Sequence, residues 1–409
     1  MWLWSCGSLE PSARNRNFSP DRPDVQLLCS KLEMLSSNFP LDGPSPLDPT
    51  GADRLAAIAR DSAAENERNG RVSEEFLDCL RSEGIGGAAV PAAAGGRGID
   101  PVALLGVIEA IAGGDGSAGW IAMIYATSSA AGHYLEPAGL EEVFSEGPAS
   151  LTAGVLAPRG TAERVEGGFV VNGTWPFASG SADAAWVSVG AMIEHSGPLN
   201  FFLPRHELDT SDTWDVMGLR ATASHDVVVD RRFVPDRRTF NLTIPALSDE
   251  PIARFPIFGL LAAGIGAVAL GVARAAIDQT ADIAGVKVPT GSKRRLVDRP
   301  AVQEAIARAE TTVAAARGLL LTRAAPGPVV SIQDRARLRL AATFAVSASR
   351  EAVDSMYTLA GGSSLYSRSP LQRQFRDIHA VTQHMMVAQP TWELAGRALL
   401  GLEADTSSL

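Results

Sequence analysis

The segment Asn172-Gly173-Thr174-Trp175-Pro176-Phe177-Ala178-Ser179-Gly180 gathers residue types that can hold a planar cofactor. It lies between two β-like runs and ends in an aromatic ring, a hydroxyl and a glycine. Such a turn can lay a ring against a flat ligand while the hydroxyl and freed backbone amides reach its polar edge. A hairpin with a buried Trp and Phe accounts for the same residues. Chemistry beyond binding needs a group that handles a proton near neutral pH, and imidazole does so. His379 and His384 lie close together near the end of the chain, in a run read as one long helix. Five residues on an α-helix turn two side chains about 140° apart, so one pocket does not easily take both. His133 follows a helical run at Gly116–Ala130, near Tyr125, Ser128 and Ser129, where a histidine also suits the helix dipole. His225, beside Ser224, either touches a ligand or closes a turn, while His195 and His206 sit in loops without a functional argument.

Three zones position these residues, after an N-terminal extension at 1–48 that mixes Pro, Ser, Asn and charge without periodicity. From 49 to 149 the pattern is helical, with Val102, Leu105, Val107, Ile108 and Ile111 recurring at helical spacing. From 150 to 245 the period shifts towards two, in Phe169-Val170-Val171, Ala185–Val189, Phe201–Leu203 and Val227–Val229, which predicts an antiparallel β domain. From 250 to 405 four long helical segments predict a four-helix bundle, the third opening at Ser331 with Asp334 as a capping box and the fourth running from Leu371 to Leu400. The fold class is α+β: helical domain, middle β domain, bundle.

Composition narrows the function. At 409 residues the chain exceeds one hydrophobic core. A net charge of -10 leaves no basic excess for nucleic acid. The three cysteines, Cys6, Cys29 and Cys79, have no metal-ligand spacing, which implies no metal and a reduced, cytoplasmic setting. Ile257–Ala273 carries no charge and approaches a membrane span in length, but its four glycines and missing basic flank favour a helix buried in a bundle. No glycine fingerprint for a nicotinamide is present.

Four motifs in order resemble the acyl-CoA dehydrogenase fold family: Gly84–Pro91 with Gly95–Gly98, the Asn172–Gly180 turn, Met217–Ser224 ending in Phe233-Val234-Pro235, and Leu359–Tyr366 followed by Gln372–Asp377. The resemblance spans about 53 to 400. It implies that Phe177 and Ser179, with Trp175, Gly180 and Thr152, contact a flavin ring, Trp175 either covering the ring or packing the β domain. It further implies Gly361 and Gly362 near a phosphate, and a basic turn at Lys293 and Arg294 that either meets a phosphate or is solvated. FMN and FAD stay undistinguished. The dehydrogenases remove a substrate proton with a carboxylate, yet neither family position for one, after Arg376-Asp377 or at Leu260–Gly264, carries Asp or Glu here. His384 stands near the first. That pattern is similar to the family's monooxygenase branch, which uses reduced flavin (FMNH2 or FADH2) and O2 and takes the flavin from a separate NAD(P)H reductase. The resemblance therefore implies a two-component hydroxylase of an aromatic or other electron-rich small molecule, with nitrogen among the candidate positions of attack. Its catalytic residue would be His384, with His133 as partner and His379 in a supporting place. Trp120, Tyr125, Ser129 and Ser224 would line the substrate pocket, in a homotetramer. A dehydrogenase with an atypical base and a flavin-free binding relative are the alternatives.

Overall fold

The computed structural model describes residues 49–325 and 331–409, so the expected extension at 1–48 lies outside the described residues. The first helices are α1 (Pro49–Asn69), α2 (Glu74–Ser82), α3 (Pro101–Gly114), α4 (Gly116–Ser128) and α5 (Pro137–Val143). Side-chain caps set their starts. Asp100 accepts the amides of Val102 and Ala103 at the head of α3, and Asp115 accepts that of Ala118 at the head of α4. Every residue of α4 from Gly116 to Thr127 is buried, so its polar side chains must find partners inside the protein.

The middle segment folds into one seven-stranded sheet, in the order β5-β6-β2-β1-β3-β4-β7. The strands are β1 (Thr152–Val165), β2 (Gly168–Trp175), β3 (Trp186–Ile193), β4 (Gly197–Pro204), β5 (Asp209–Ser211), β6 (Asp226–Pro235) and β7 (Thr239–Phe240). The sheet is antiparallel as expected at every pairing but one: β1 and β3 run parallel, from Thr152 opposite Trp186 to Ala162 opposite Ile193. An alternating pattern reads the same in either direction, which is why the sequence did not reveal it. The consequence is functional. The connection from β2 to β3, residues 176–185, ends at the start of β1, where the Ala185 amide donates to the Leu151 carbonyl at 2.9 Å.

The C-terminal helices are α6 (Ile257–Val286), α7 (Pro300–Ala324), α8 (Ile332–Ala360), α9 (Pro370–Val381) and α10 (Pro390–Leu399). Ser331 opens α8 by accepting the Asp334 amide at 3.1 Å. Helix α6 is long and apolar enough to cross a membrane, but 83% of its most apolar window is buried against neighbouring helices. Its Gly271 lies where a Cβ would stand 2.2 Å from the Glu109 carbonyl, so a neighbouring backbone fills the space that glycine leaves. The expected single fourth helix is two. Helix α9 stops at Val381, and Pro390, which lacks an amide donor, starts α10. The turn between them carries His384.

Candidate active site

Strand β2 ends on Trp175, which is fully buried with its indole N–H donated to the Gly190 carbonyl at 2.7 Å. Of its two expected places it takes the packing one, buried in the sheet. Two residues later the backbone turns left-handed at Phe177 (φ 63°), and the ring emerges 68% exposed. A non-glycine residue in that region is uncommon and must be held there. The edge of Phe177 meets Trp214, with centroids 6.1 Å apart at 87°. Three bonds fix the turn: Ala178 N–H to the His225 carbonyl, Gly180 N–H to the Thr222 carbonyl, and Tyr125 O–H to the Gly180 carbonyl at 2.8 Å.

Ser179 turns inward. Trp120, from α4, donates its indole N–H to Ser179 Oγ at 3.1 Å. Ser179 Oγ lies 2.6 Å from Ser224 Oγ, which lies 2.7 Å from Thr222 Oγ1, and that hydroxyl donates to the Leu219 carbonyl at 2.8 Å. Three hydroxyls make three bonds, so each proton is used once only if all run one way. The chain then reads Trp120 to Ser179 to Ser224 to Thr222 to Leu219. Ser179 thus spends its proton inside the protein and keeps one lone pair unused.

The imidazole of His384 sits edge-on to Trp120, with centroids 5.6 Å apart at 62°. Its Nδ1 accepts the Met386 amide at 3.2 Å, so in the neutral ring the proton sits on Nε2. Burial first, and the Arg339 charge second, push its pKa down to about 4. Arg339 is itself buried, with one guanidinium N–H on the Ser408 carbonyl, and burial brings its pKa down to about 10. At neutral pH His384 is therefore an uncharged hydrogen-bond donor through Nε2. Among the described residues no Asp or Glu bonds to His384, Trp120 or Ser179.

Other candidates go elsewhere. His379 bonds Asp354 on α8 at 3.0 Å and packs on Phe375, so its ring serves the α8–α9 contact. His133 is buried, with Nε2 3.1 Å from the Ala89 carbonyl. Ser129 Oγ accepts the amide of the same Ala89, so the two fasten one residue of the Gly84–Gly98 loop. His133 thus bonds the backbone of Ala89, and Ser129 spends its hydroxyl on Ala126 and Ala89. Tyr125, expected at the substrate, instead holds the Gly180 turn. Lys293 and Arg294 lie on an exposed turn. Gly361 and Gly362 end α8 beside Lys287, whose ammonium donates to the Ala360 carbonyl at 2.6 Å. His225 closes a turn, its Nδ1 accepting the amides of Thr213 and Trp214. Thr222, Trp214 and Arg339 were missed; Thr222 was within a motif already singled out, whereas nothing local marks the other two.

Known proteins resemble this chain in sequence and fold. The profile "Acyl-CoA dehydrogenase, N-terminal domain" matches residues 52–145, and "Acyl-CoA dehydrogenase, C-terminal domain" matches 263–389. The chain is 33% identical to indole-3-acetate monooxygenase of Pseudomonas putida, over 82% of this chain and 89% of that protein. It is 28% identical to the oxygenase component of an FADH2-dependent resorcinol hydroxylase of a Rhizobium species, over 86% of this chain and 94% of that one. The crystal structure of 3-HSA hydroxylase from Rhodococcus sp. RHA1 superimposes with a TM-score of 0.82 at 26% identity, covering 88% of this chain and 98% of that one.

Proposed function

The chain belongs to the acyl-CoA dehydrogenase family, in the branch of its flavin-dependent monooxygenases, and from that premise we propose that it hydroxylates an aromatic small molecule with reduced flavin and O2. It is an oxidoreductase. The residues present suit a flavin. Thr152 Oγ1 is fully buried without a partner, the Phe177 ring is bare, and Ser179 has a lone pair to offer. When bound, the reduced flavin gives two electrons to O2, so that one oxygen atom enters the substrate and the other leaves as water. The protein's own residues do the rest. Ser179, as an acceptor, matches the N–H edge that only the reduced ring carries. His384 holds a proton on Nε2 and donates a hydrogen bond without carrying charge, while Trp120 joins the two. That uncharged imidazole, in place of a carboxylate, is the observation that carries the reading. It suits orienting oxygen and substrate and does not suit removal of an acyl α-proton.

Further assignments belong to the same proposal. Reduced flavin comes from a separate NAD(P)H reductase, as the name "oxygenase component" of one relative suggests. Gly361, Gly362 and Lys287, with Lys293 and Arg294, are the groups available to flavin phosphate. The compartment is the cytoplasm, and the assembly a homotetramer. The test supplies reduced flavin, 18O2 and a panel of phenols and indoles. One labelled oxygen per product molecule is expected; flavin oxidised solely to hydrogen peroxide across the panel would refute the reading.

Ser179→Ala removes the acceptor and strands the Trp120 indole. Its affinity for reduced flavin falls about tenfold, the scale of one buried hydrogen bond, and that for oxidised flavin changes less. Anaerobic fluorescence titration measures both, and equal weakening would show that Ser179 does not read the redox state.

A further inference from the structure

Two carboxylates lie side by side in the core, outside the chemistry just described. Asp115 caps α4, and Asp377 sits in α9; both are buried. They are neighbours across Gly116, where a Cβ would stand 3.0 Å from Asp377 Oδ2. Asp115 Oδ2 accepts the Ala118 amide at 3.1 Å, while its Oδ1 has no hydrogen-bond partner and faces Arg373 Nε at 3.4 Å. Burial raises both pKa values, that of Asp115 to about 6 and that of Asp377 to about 7, the latter helped by the Asp115 charge. The other charges around them are Glu67, Arg373 and Arg376. Ionising one of the pair therefore makes ionising the other harder.

The Arg376-Asp377 step also grips the segment that leads to the flavin-facing turn. Arg376 Nη1 donates to the Met217 carbonyl at 2.5 Å. The Arg376 carbonyl abuts Gly218, where a Cβ would stand only 2.2 Å away. Asp377 Oδ1 accepts the Leu219 amide at 2.6 Å. Leu219 is left-handed (φ 54°), a conformation that its surroundings must impose. Its carbonyl ends the hydroxyl chain from Ser179, and it also accepts the Trp214 indole N–H at 3.1 Å. One residue thus fixes both the polarity of Ser179 and the ring behind Phe177.

We propose that Asp377 is a positioning residue for the oxygenation: by holding the Leu219 amide it sets the Ser179 hydroxyl chain and the Trp214 face, and Asp115 makes that hold depend on pH. The proposal rests on the flavin reading above, but its effect on residues 217–224 exists without flavin. The direction follows from linkage. Folding raises both pKa values above the ordinary 3.8, so the folded chain binds more protons between there and about 7. The stabilisation is complete below that window and is lost as pH rises through it, as two ionised carboxylates face each other.

The test compares Asp377→Asn and Asp377→Ala by amide hydrogen exchange over 217–224 in flavin-free protein, by anaerobic titration with reduced flavin, and by melting at pH 6 and pH 8. Asn keeps an acceptor for Leu219 and cannot ionise. It is expected to preserve protection and flavin affinity within about twofold, and to lose less melting temperature than the parent between the two pH values. Ala removes the acceptor. About tenfold faster exchange at 217–224 and about tenfold weaker reduced-flavin binding are expected, as for one lost buried hydrogen bond. A folded Ala variant with unchanged exchange and affinity would overturn the positioning role. Should Ala fail to fold, an Asn variant that keeps the parent's pH dependence, or loses flavin affinity tenfold, overturns it instead. If the parent makes no hydroxylated product, the function reading fails alone, because exchange at 217–224 still decides this one.

Discussion

Replacing His384 with alanine lowers the hydroxylation rate by about a hundredfold or more, the scale of one positioned proton-handling group, and leaves reduced-flavin affinity within about threefold. The two effects separate because His384 touches Trp120 edge-on and makes no bond to Ser179 or the Phe177 turn. What disappears is an Nε2–H donor held by the Met386 amide at the opposite ring nitrogen. His384→Asn restores a neutral donor and should recover part of the loss, whereas a carboxylate there should not. The pH dependence distinguishes donor from base. With its pKa brought down to about 4, His384 stays neutral throughout the working range, so the rate should not fall between pH 8 and pH 6 on its account. Stability shows the same group. Between about 4 and its ordinary 6.5 the unfolded chain binds the extra proton, so stability rises with pH there, and the alanine variant should lose that slope. Product formed per flavin oxidised, with melting curves at pH 4.5 and pH 7, checks all three. Unchanged turnover would remove His384 from the mechanism.

The order of helices, sheet and helices was legible because hydrophobic period changes where the chain changes from helix to strand. The turn at 176–180 was legible as a turn, because Pro176 and Gly180 interrupt the strand pattern. Trp175 took the packing alternative: it is the last residue of β2, on the face that Phe169 and Val171 bury, and only the left-handed backbone at Phe177 carries the next ring off the strand and into the open. The angle argument for His379 and His384 assumed an unbroken helix, and the break before Pro390 removes its premise. Tyr125, Ser129 and His133 were polar residues near a candidate pocket, but in a helix and turn buried on all sides they hold neighbouring backbone. Trp214 and Arg339 carry no local signal, and Asp377, although within a singled-out motif, carries none for its pairing with Asp115. Their roles arise from burial and from contacts between distant segments, and neither is written in spacing.

Gly218→Ala tests the junction between these segments most severely, and a loss of about 3 kcal/mol is expected, at the upper end for overpacking. The new methyl group would stand 2.2 Å from the Arg376 carbonyl oxygen and 2.5 Å from its carbon. Both atoms belong to helix backbone, so no side chain can swing aside to make room. The strain must be relieved by moving Met217–Leu219 away from α9, which breaks the Leu219 amide bond to Asp377. The Leu219 carbonyl then no longer anchors Thr222 and Trp214, and the turn bearing Phe177 and Ser179 loses its support. Flavin binding should therefore weaken along with stability, although Gly218 itself contacts neither Phe177 nor Ser179. Gly318→Ala is the control. That glycine lies on the exposed face of α7 with open space around it, and alanine there should stabilise the helix by up to about 1 kcal/mol. Thermal unfolding with and without flavin reads both variants. A Gly218→Ala protein that melts with the parent and binds flavin equally would mean that the exit segment is not clamped by α9, and the route from Asp377 to Ser179 would lose its first step.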